Sequence, residues 1–258
     1  MFNDIINLEE PRSKAGKLRG VSMAISSINN ALLSLQTSLN KLAVTSSNIS
    51  NTNTYGYKSK KTASTGNETK YMNINLNTSI GILRSTNGPL DVAINGDGYF
   101  RIELGNDLYG YTRDGNFSTD ANGNLVTSSG YRVYPQINIP MDALNVTIEK
   151  NGTVSANMRG GGIKILGQIQ TATFSNQDGL ESFGDNILTE TVDSGAPIIS
   201  YPGTRGHGNL ISGYIEGSNV NFADETVNSI IEQHTIEANI ETIKTSDEIL
   251  GELVDLKS

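Results

Sequence analysis

Few residues in this sequence are of the types that perform catalysis or bind metals. Cysteine is absent and histidine occurs only at His207 and His234, so composition excludes thiolate sites and multi-histidine metal centres. His207 lies in a glycine-rich stretch that indicates neither a nucleophile nor an orienting acid for it. We expect His207 on a surface loop, and His234 packed on a helix or facing solvent.

Two other stretches resemble ion-binding loops in composition. Residues 114–124 carry several Asp and Asn side chains, but the spacing of an EF-hand calcium loop is absent, which favours turns. Residues 160–162 are three glycines, but no Lys-Ser/Thr pair follows them as in a phosphate-binding loop, which favours a flexible loop. No G-x-S-x-G, H-E-x-x-H or Walker pattern is present. We predict no catalytic residue, no cofactor and no bound metal, and therefore not an enzyme.

The strongest pattern in the chain is a helix over residues 25–49. Its apolar residues recur at steps of three, four, three, four, three and seven, which is a heptad seam on one helix face. The seam consists of Ile25, Ile28, Leu32, Leu35, Leu39, Leu42 and Ile49. Such a narrow stripe suits a second helix, and the segment alone is marginally stable. We interpret it as an assembly element; an amphipathic helix docked on its own domain is the open alternative.

A second helix is predicted at the C-terminal end of the chain. Asn221 is a good N-cap, and Asp224 and Glu225 follow in the first turn, where the helix dipole favours acids. Its apolar residues cover more of the circumference than those of the first helix. The predicted interface residues here are Val227, Ile230, Ile236, Ile240, Ile243, Leu250 and Leu253. The two helices can meet as a parallel or an antiparallel pair, within or between subunits.

Between the helices the apolar period changes to two, which is typical of strands. Leu90, Val92 and Ile94 alternate with polar neighbours. The dipeptides at 114–115, 122–123 and 151–152 are Asp-Gly or Asn-Gly and predict hairpin turns. The predicted fold is α+β, with N- and C-terminal helices packed as a coiled coil and an antiparallel all-β domain inserted between them.

The predicted boundaries follow from these changes in pattern. Residues 1–22 are expected to be an unstructured extension, 23–58 the N-terminal helix and 59–84 a linker or extended arm. The β-rich domain is expected at 85–215 and the C-terminal helix at 216–258.

The net charge of −8 is concentrated in residues 216–258, which hold ten acidic residues against two lysines. The remainder of the chain is balanced, so no basic surface favours nucleic acid. No apolar run is long enough to span a membrane, and the first residues do not resemble a secretory signal peptide.

Several motifs together resemble those of bacterial flagellar axial proteins, the family of the rod and hook. SSNISNTNTYGYK at 46–58 resembles the N-terminal signature of that family, and PLDVAINGDGYFRI at 89–102 and the stretch 111–135 resemble its central β signatures. Residues 173–197 and 213–250 are most similar to the distal rod proteins. The signature residues are Asn48, Asn51, Asn53, Gly56, Asp91, Gly98, Tyr111, Thr112, Asp114, Gly115, Ser218, Asn219 and Val220.

The resemblance implies a structural subunit of the flagellar basal-body rod at its distal part. It implies helical self-assembly into a hollow drive shaft that transmits torque from motor to hook. The implied partners are copies of itself, other rod and hook proteins, the surrounding ring proteins and the flagellar type III export apparatus. The implied location is the periplasm-spanning rod, reached without a cleaved signal peptide, with no nucleic acid bound and no direct insertion into a membrane.

Two alternatives remain open at this point. The segment 59–84 is short for a distal rod protein, which keeps the proximal rod paralogue in consideration. The alternative from another class is a secreted oligomeric binding module in which the helices serve only to oligomerise the β domain.

Overall fold

A computed structural model describes residues 9–64 and 72–255, with side chains over 19–62 and 74–252. The chain separates into two compact units. The first, here the helical unit, comprises Met1–Ser47, Thr62–Ile74 and Ala223–Ser258 as far as they are described. The second, the β unit, comprises Asn48–Lys61 and Asn75–Phe222.

The helical unit is built from two long helices, α1 (Glu9–Ser50) and α2 (Phe222–Asp255). They pack antiparallel: Ser34 is bonded to Asn239, and Lys41, seven residues later, pairs with Glu232, seven residues earlier. The helix α1 begins well before Met23, so residues 9–22 are helical where an unstructured extension was expected. Residues 1–8 lie outside the described part.

Small residues mark the most buried face of α1. Ala24, Ala31 and Ser38 are buried and lie seven residues apart, so they share one helix face. Small side chains let two helix backbones approach closely, and they also leave little apolar area in the contact. The two helices are therefore held by a narrow interface.

The β unit is formed by short strands connected by tight turns. The early strands are β1 (Lys60–Ser64), β2 (Met72–Leu76), β3 (Leu83–Ser85), β4 (Val92–Asn95), β5 (Tyr99–Gly105), β6 (Leu108–Thr112), β7 (Phe117–Thr119), β8 (Leu125–Thr127) and β9 (Arg132–Val133). The later strands are β10 (Ala143–Ile148), β11 (Thr153–Met158), β12 (Ile163–Gln168), β13 (Thr171–Thr173), β14 (Glu181–Gly184), β15 (Ile187–Thr189), β16 (Ile198–Ser200), β17 (Asn209–Ser212) and β18 (Tyr214–Glu216). Strands β1 to β3 thus occupy part of 59–84, where a linker was expected.

The largest sheet has the strand order β14-β15-β6-β5-β9-β8-β7, and β13 joins it by pairing with both β5 and β16. A separate three-stranded sheet has the order β10-β11-β12. Near the ends of the unit, β17 pairs with β4 and β18 pairs with β3, so late strands close on early ones. Every strand register described is antiparallel, and the predicted fold class is confirmed.

The core of the β unit is large and apolar. Val92, Ile94 and Phe100 are almost completely buried in one cluster, where Phe100 meets Phe117 edge to face at 5.0 Å. Tyr99 and Tyr111 belong to a second cluster around Phe174. In the described part of the chain, neither helix is long and apolar enough to cross a membrane.

Two of the three predicted hairpin turns are confirmed, since residues 122–123 join β7 to β8 and residues 151–152 join β10 to β11. The prediction for Asp114 and Gly115 was wrong, because β6 and β7 on either side are not partners. Gly115 instead accepts a bond from Val92 N at 3.0 Å. A Cβ on Gly115 would lie 1.6 Å from the Val92 carbonyl oxygen, so glycine is required there by close backbone approach.

Candidate functional site

The predicted seam of α1 is divided between two environments. Ile28, Leu35 and Leu42 are half-buried, as is Ile49 at the start of the β unit. In contrast, Ile25, Leu32 and Leu39 are 49%, 49% and 45% exposed. One part of the seam is thus partly covered within the monomer, and the other part forms a row of apolar side chains open to solvent.

The helix α2 is divided in the same way. Ile236, Ile243 and Leu250 recur every seven residues and are half-buried. The other predicted interface residues that are described are exposed, namely Val227, Ile230 and Ile240. The side chain of Leu253 lies outside the described ones.

Four further exposed Ile, Leu or Met residues on the two helices lie outside the predicted interface set. They are Met23, Leu33, Ile231 and Ile249. Leu33 and Ile231 lie next to predicted residues but do not follow the heptad spacing, so a heptad search does not select them. A count of every Ile, Leu and Met on the two predicted helices, without the heptad filter, would have included them.

Two polar contacts fix the register of the two helices. Lys41 Nζ lies 3.4 Å from Glu232 Oε1, and Asn239 Nδ2 donates to Ser34 Oγ at 3.0 Å. The two contacts are one heptad apart on each helix, so both can form in only one antiparallel register. The interface is therefore specified by polar groups, while much of the apolar surface stays uncovered.

The N-terminal signature folds onto the β unit through Asn48. Its Nδ2 donates to the Lys60 carbonyl at 2.9 Å, and its Oδ1 accepts from Lys60 N at 2.9 Å. Tyr57 Oη also donates to Asn48 Oδ1, at 3.3 Å. Asn48 is buried, and its amide supplies hydrogen-bond partners for both backbone groups of Lys60.

Asn219 makes an equivalent set of bonds from the other end of the chain. Its Oδ1 accepts from Ser59 N at 2.7 Å, and its Nδ2 donates to the carbonyls of Asn77 at 2.7 Å and Ser79 at 3.0 Å. Its neighbours in the signature behave differently: Ser218 Oγ accepts from Val220 N at 3.3 Å. Asn219 therefore ties the segment before α2 to the segment after α1.

A buried ion cluster lies between these two amides. Lys58 Nζ is 2.6 Å from Glu216 Oε1 and also donates to the Ser79 carbonyl at 2.7 Å. Arg113 Nη1 lies 3.4 Å from Glu216 Oε2, and Gly81 N donates to Oε1 at 2.9 Å. Asn48, Lys58, Arg113, Glu216 and Asn219 together are called the clasp below.

The electrostatics of the clasp depend on one carboxylate. The side chains of Glu216, Lys58 and Arg113 are only 1%, 4% and 1% exposed. Burial lowers the pKa of Lys58, while the nearby Glu216 carboxylate opposes that shift. Arg113 lies 5.1 Å from the centre of the Tyr99 ring and donates to the Gly96 carbonyl at 3.0 Å. Two buried cations thus rely on a single anion.

Glu216 and Arg113 were not predicted as site residues. Lys58 was the available signal for this ion cluster, because a lysine that is buried together with the signature needs an anion nearby. Sequence spacing could not supply that anion, since Glu216 is 158 positions away.

The remaining signature residues shape turns and strand ends. Gly56 has φ +64° and donates to the Glu216 carbonyl at 2.7 Å. Asn51 Oδ1 accepts from Thr54 Oγ1 at 3.0 Å, Asn53 is exposed, and Gly98 has φ +129°.

The four signature residues not yet described, Asp91, Tyr111, Thr112 and Asp114, lie on or beside the central strands. Asp91 accepts from Thr86 Oγ1, and Thr112 Oγ1 donates to the Asn186 carbonyl at 3.1 Å. Burial raises the pKa of Asp114, whose Oδ2 accepts from Ser128 Oγ at 2.8 Å. Burial also raises the pKa of Tyr111 to about 12. Their bonds are internal to the β unit.

The expectation for His207 was wrong. His207 is buried, and its Nδ1 lies 2.8 Å from Thr171 Oγ1. Burial lowers the pKa of His207, which favours the neutral ring. His234 is exposed and lies 3.1 Å from Glu237 Oε2, as expected for a solvent-facing helix residue.

Within the acidic stretch 114–124, residues 120–124 form the predicted turn, whereas Phe117–Thr119 is strand β7. Asp120 Oδ1 accepts from the backbone N of Asn122 and of Asn124, each at 2.8 Å, in the manner of an Asx turn. Hydrogen bonds from Asn124 hold the pKa of Asp120 below its ordinary value. Among the described residues, no group of three or more His, Cys, Asp or Glu side chains is placed to hold a metal ion.

Comparison with known families gives three matches in chain order. Residues 28–58 match the flagella basal body rod protein family, 93–156 the D1 domain of the flagellar hook proteins FlgE, FlgF and FlgG, and 211–256 the C-terminal domain of the flagellar basal body rod FlgEFG proteins. The first match includes Asn48 and Lys58 of the clasp, and the last includes Glu216 and Asn219.

Comparison with curated proteins gives relatives over most of the chain. The flagellar basal-body rod protein FlgG of Buchnera aphidicola subsp. Schizaphis graminum is 46% identical over 179 residues, 69% of each chain. FlgG of Bacillus subtilis is 40% identical over 247 residues, 84% of this chain and 93% of the relative. The flagellar hook protein FlgE of Escherichia coli is 38% identical over 141 residues, 54% of this chain and 33% of the relative. Because FlgG relatives at 40–46% identity cover most of both chains, the chain belongs to the FlgG family of flagellar basal-body rod proteins.

Proposed function

We propose that this chain is a structural subunit of the flagellar basal-body rod that assembles with copies of itself through its two helices. The single observation that carries the proposal is the division of each helix into a half-buried and an exposed apolar face. A helix pair that was complete in the monomer would turn polar residues outward on both sides.

The exposed apolar surface is large enough to drive association. Five residues on α1 and five on α2 contribute to it: Met23, Ile25, Leu32, Leu33, Leu39, Val227, Ile230, Ile231, Ile240 and Ile249. Soluble monomers rarely expose so many neighbouring apolar side chains on one element. Burying the remaining half of each Ile or Leu contributes roughly 1 kcal/mol. Several neighbours along a polymer therefore supply the stability that one helix pair lacks.

The polar contacts between α1 and α2 fit this role. Lys41 with Glu232 and Ser34 with Asn239 define how the two helices align, but each contact is weak. Alignment without strong internal burial leaves the apolar faces available to other copies. The two helices are thus aligned by their polar contacts, and their exposed apolar side chains remain available for association with other copies.

The clasp supports a mechanical role for the β unit. Asn48 and Asn219 fix the chain where it leaves α1 and where it enters α2, and Glu216 with Lys58 and Arg113 locks the two segments together. A rod that transmits torque needs such firm connections. The family is one of structural rod proteins, in agreement with the prediction that the chain is not an enzyme.

Finer features of the function are part of the same proposal. The subunit occupies the distal rod, forms a hollow helical shaft that spans the periplasm, and meets the surrounding ring proteins there. It reaches that place through the flagellar type III export apparatus without a cleaved signal peptide. The FlgG relatives favour the distal position over a proximal rod paralogue, and no comparison favours a secreted binding module.

A pair of matched substitutions tests the proposal. Leu32→Asp places a charge on the exposed apolar face, whereas Ser26→Asp places the same charge on an exposed polar position of the same helix. In cells that lack their own rod subunit, Leu32→Asp is expected to abolish rods in isolated basal bodies and swimming, and Ser26→Asp is expected to retain both. Normal rods with Leu32→Asp would overturn the proposal.

A further inference from the structure

We propose that neighbouring copies are also joined through two unpaired sheet edges of the β unit, with β12 of one copy pairing with β14 of the next. This inference rests on the proposed function, because it needs a polymer of this chain. The two edges differ in sequence and charge, so the contact joins unlike surfaces.

The strand β12 is the outer strand of the three-stranded sheet and carries exposed apolar residues. Ile163 and Ile165 are 77% and 70% exposed. Met158 N donates to the Gly162 carbonyl at 3.0 Å and the Met158 carbonyl accepts from Gly161 N at 2.9 Å, so Met158 and Gly162 occupy a hydrogen-bonded pair position next to the turn. Because such pairs alternate along an antiparallel ladder, the backbone groups of Ile163 and Ile165 point away from β11. They are free to accept another strand.

Lys164, between these two residues, limits which strand can be added. It is exposed and lies opposite Ala156 in the register with β11. If β12 paired with β12 of a second copy about this point, two lysines would be opposed, which is unfavourable. A strand that brings a carboxylate to Lys164 is therefore preferred.

The strand β14 provides that carboxylate. It is the end strand of the large sheet, all four of its residues are exposed, and Phe183 is 56% exposed. Among the described strands at sheet edges, it is the one with an exposed acidic residue, Glu181. A bulge at Phe183 interrupts the pairing with β15 and limits the added strand to a short register.

The pairing of unlike edges has a geometric consequence. Each copy presents β12 to one neighbour and β14 to another, so the contact repeats along a row of copies instead of closing a dimer. It also covers Ile163, Ile165 and Phe183, which are unusual surface residues for a soluble β unit. The helices and the sheet edges would then both contribute to one polymer.

The absence of cysteine makes a clean crosslinking test possible. Lys164→Cys, Glu181→Cys and the double variant are assembled into rods and oxidised, and the products are separated on a denaturing gel. The double variant is expected to give a ladder of multimers, and each single variant is expected to remain monomeric. Dimers from Lys164→Cys alone would indicate that β12 pairs with β12, and assembled rods of the double variant without crosslinks would show that the edges do not meet. Either result overturns the inference.

A charge exchange provides the second measurement. Lys164→Glu and Glu181→Lys are each expected to shorten rods or reduce their number, and the double exchange is expected to restore them. Lys150→Glu, an exposed lysine outside these strands, is the control and should have no effect. Failure of the double exchange to restore assembly contradicts the inference. The helix proposal is judged separately, by whether Leu32→Asp forms rods.

Discussion

The two units of this protein solve the problem of burying apolar surface in different ways. The β unit covers Val92, Phe100 and Leu125 completely with its own strands. The most buried face of α1 instead consists of Ala24, Ala31 and Ser38, while larger apolar residues of the same helix remain exposed. The comparison indicates that the β unit buries its core with its own strands, whereas the helical unit leaves several of its large apolar side chains exposed.

The largest difference is expected when an apolar side chain is truncated in each unit. Phe100→Ala removes a fully buried ring that packs on Phe117, and it should lower the free energy of unfolding by about 3–5 kcal/mol. Leu32→Ala removes an exposed side chain and should change monomer stability by less than about 0.5 kcal/mol.

Urea unfolding of the monomer can follow the units separately. Every tyrosine in the described part of the chain belongs to the β unit, so near-UV circular dichroism reports mainly on that unit. Far-UV circular dichroism reports mainly on the helices. A large loss of stability with Leu32→Ala would mean that α1 is already covered in the monomer.

The two ion pairs give the next comparison. Glu216→Gln leaves the Lys58 and Arg113 cations buried without an anion and should cost about 3 kcal/mol or more. Glu232→Gln removes the partner of the partly exposed Lys41 and should cost about 0–1 kcal/mol. Thermal unfolding of both variants measures the difference. Equal effects would contradict the view that the clasp is the ionic centre of the fold.

The two bridging amides give a smaller contrast. Asn219→Ala removes bonds to Ser59, Asn77 and Ser79 and leaves the Ser59 N–H and the Asn77 carbonyl without this partner, so a loss of about 1–3 kcal/mol is expected. Asn239→Ala removes one bond to Ser34 and should cost about 0.5–1 kcal/mol. Chemical denaturation of the two variants, with the wild type beside them, ranks the two contacts. The reverse ranking would assign the main connection of the chain ends to the helices.

The smallest expected effect is a pH dependence confined to the β unit. Burial lowers the pKa of His207, so the folded state resists a proton that the unfolded chain binds below about pH 6.5. Stability from this group is therefore complete above that pH and falls as the pH drops towards the folded pKa, by at most about 1.4 kcal/mol per pH unit.

His207→Gln should flatten this dependence, since glutamine can still bond to Thr171 but does not titrate. The measurement is the unfolding midpoint of the β unit between neutral and mildly acidic pH. An unchanged slope in His207→Gln would assign the dependence to other groups.

Local sequence patterns determined the elements of this fold. The heptad spacing predicted α1, the N-cap and recurring apolar residues predicted α2, and the Asn-Gly turns predicted two hairpins, because helix period and turn conformation depend on neighbouring residues alone. The spacing could not distinguish Leu32, which is exposed, from Leu35, which is half-buried, since both belong to the same seam. It also left the direction of the helix pair open.

Only the tertiary structure decided the contacts between distant parts of the chain. Glu216 pairs with Lys58 and Arg113, and His207 is buried against Thr171. The Val92 carbonyl approaches Gly115 too closely for any side chain there. None of these partners is a sequence neighbour of the residue it meets. Periodicity records which side of an element is apolar, whereas the choice of partner depends on how the whole chain closes, and that closure is a property of the folded molecule.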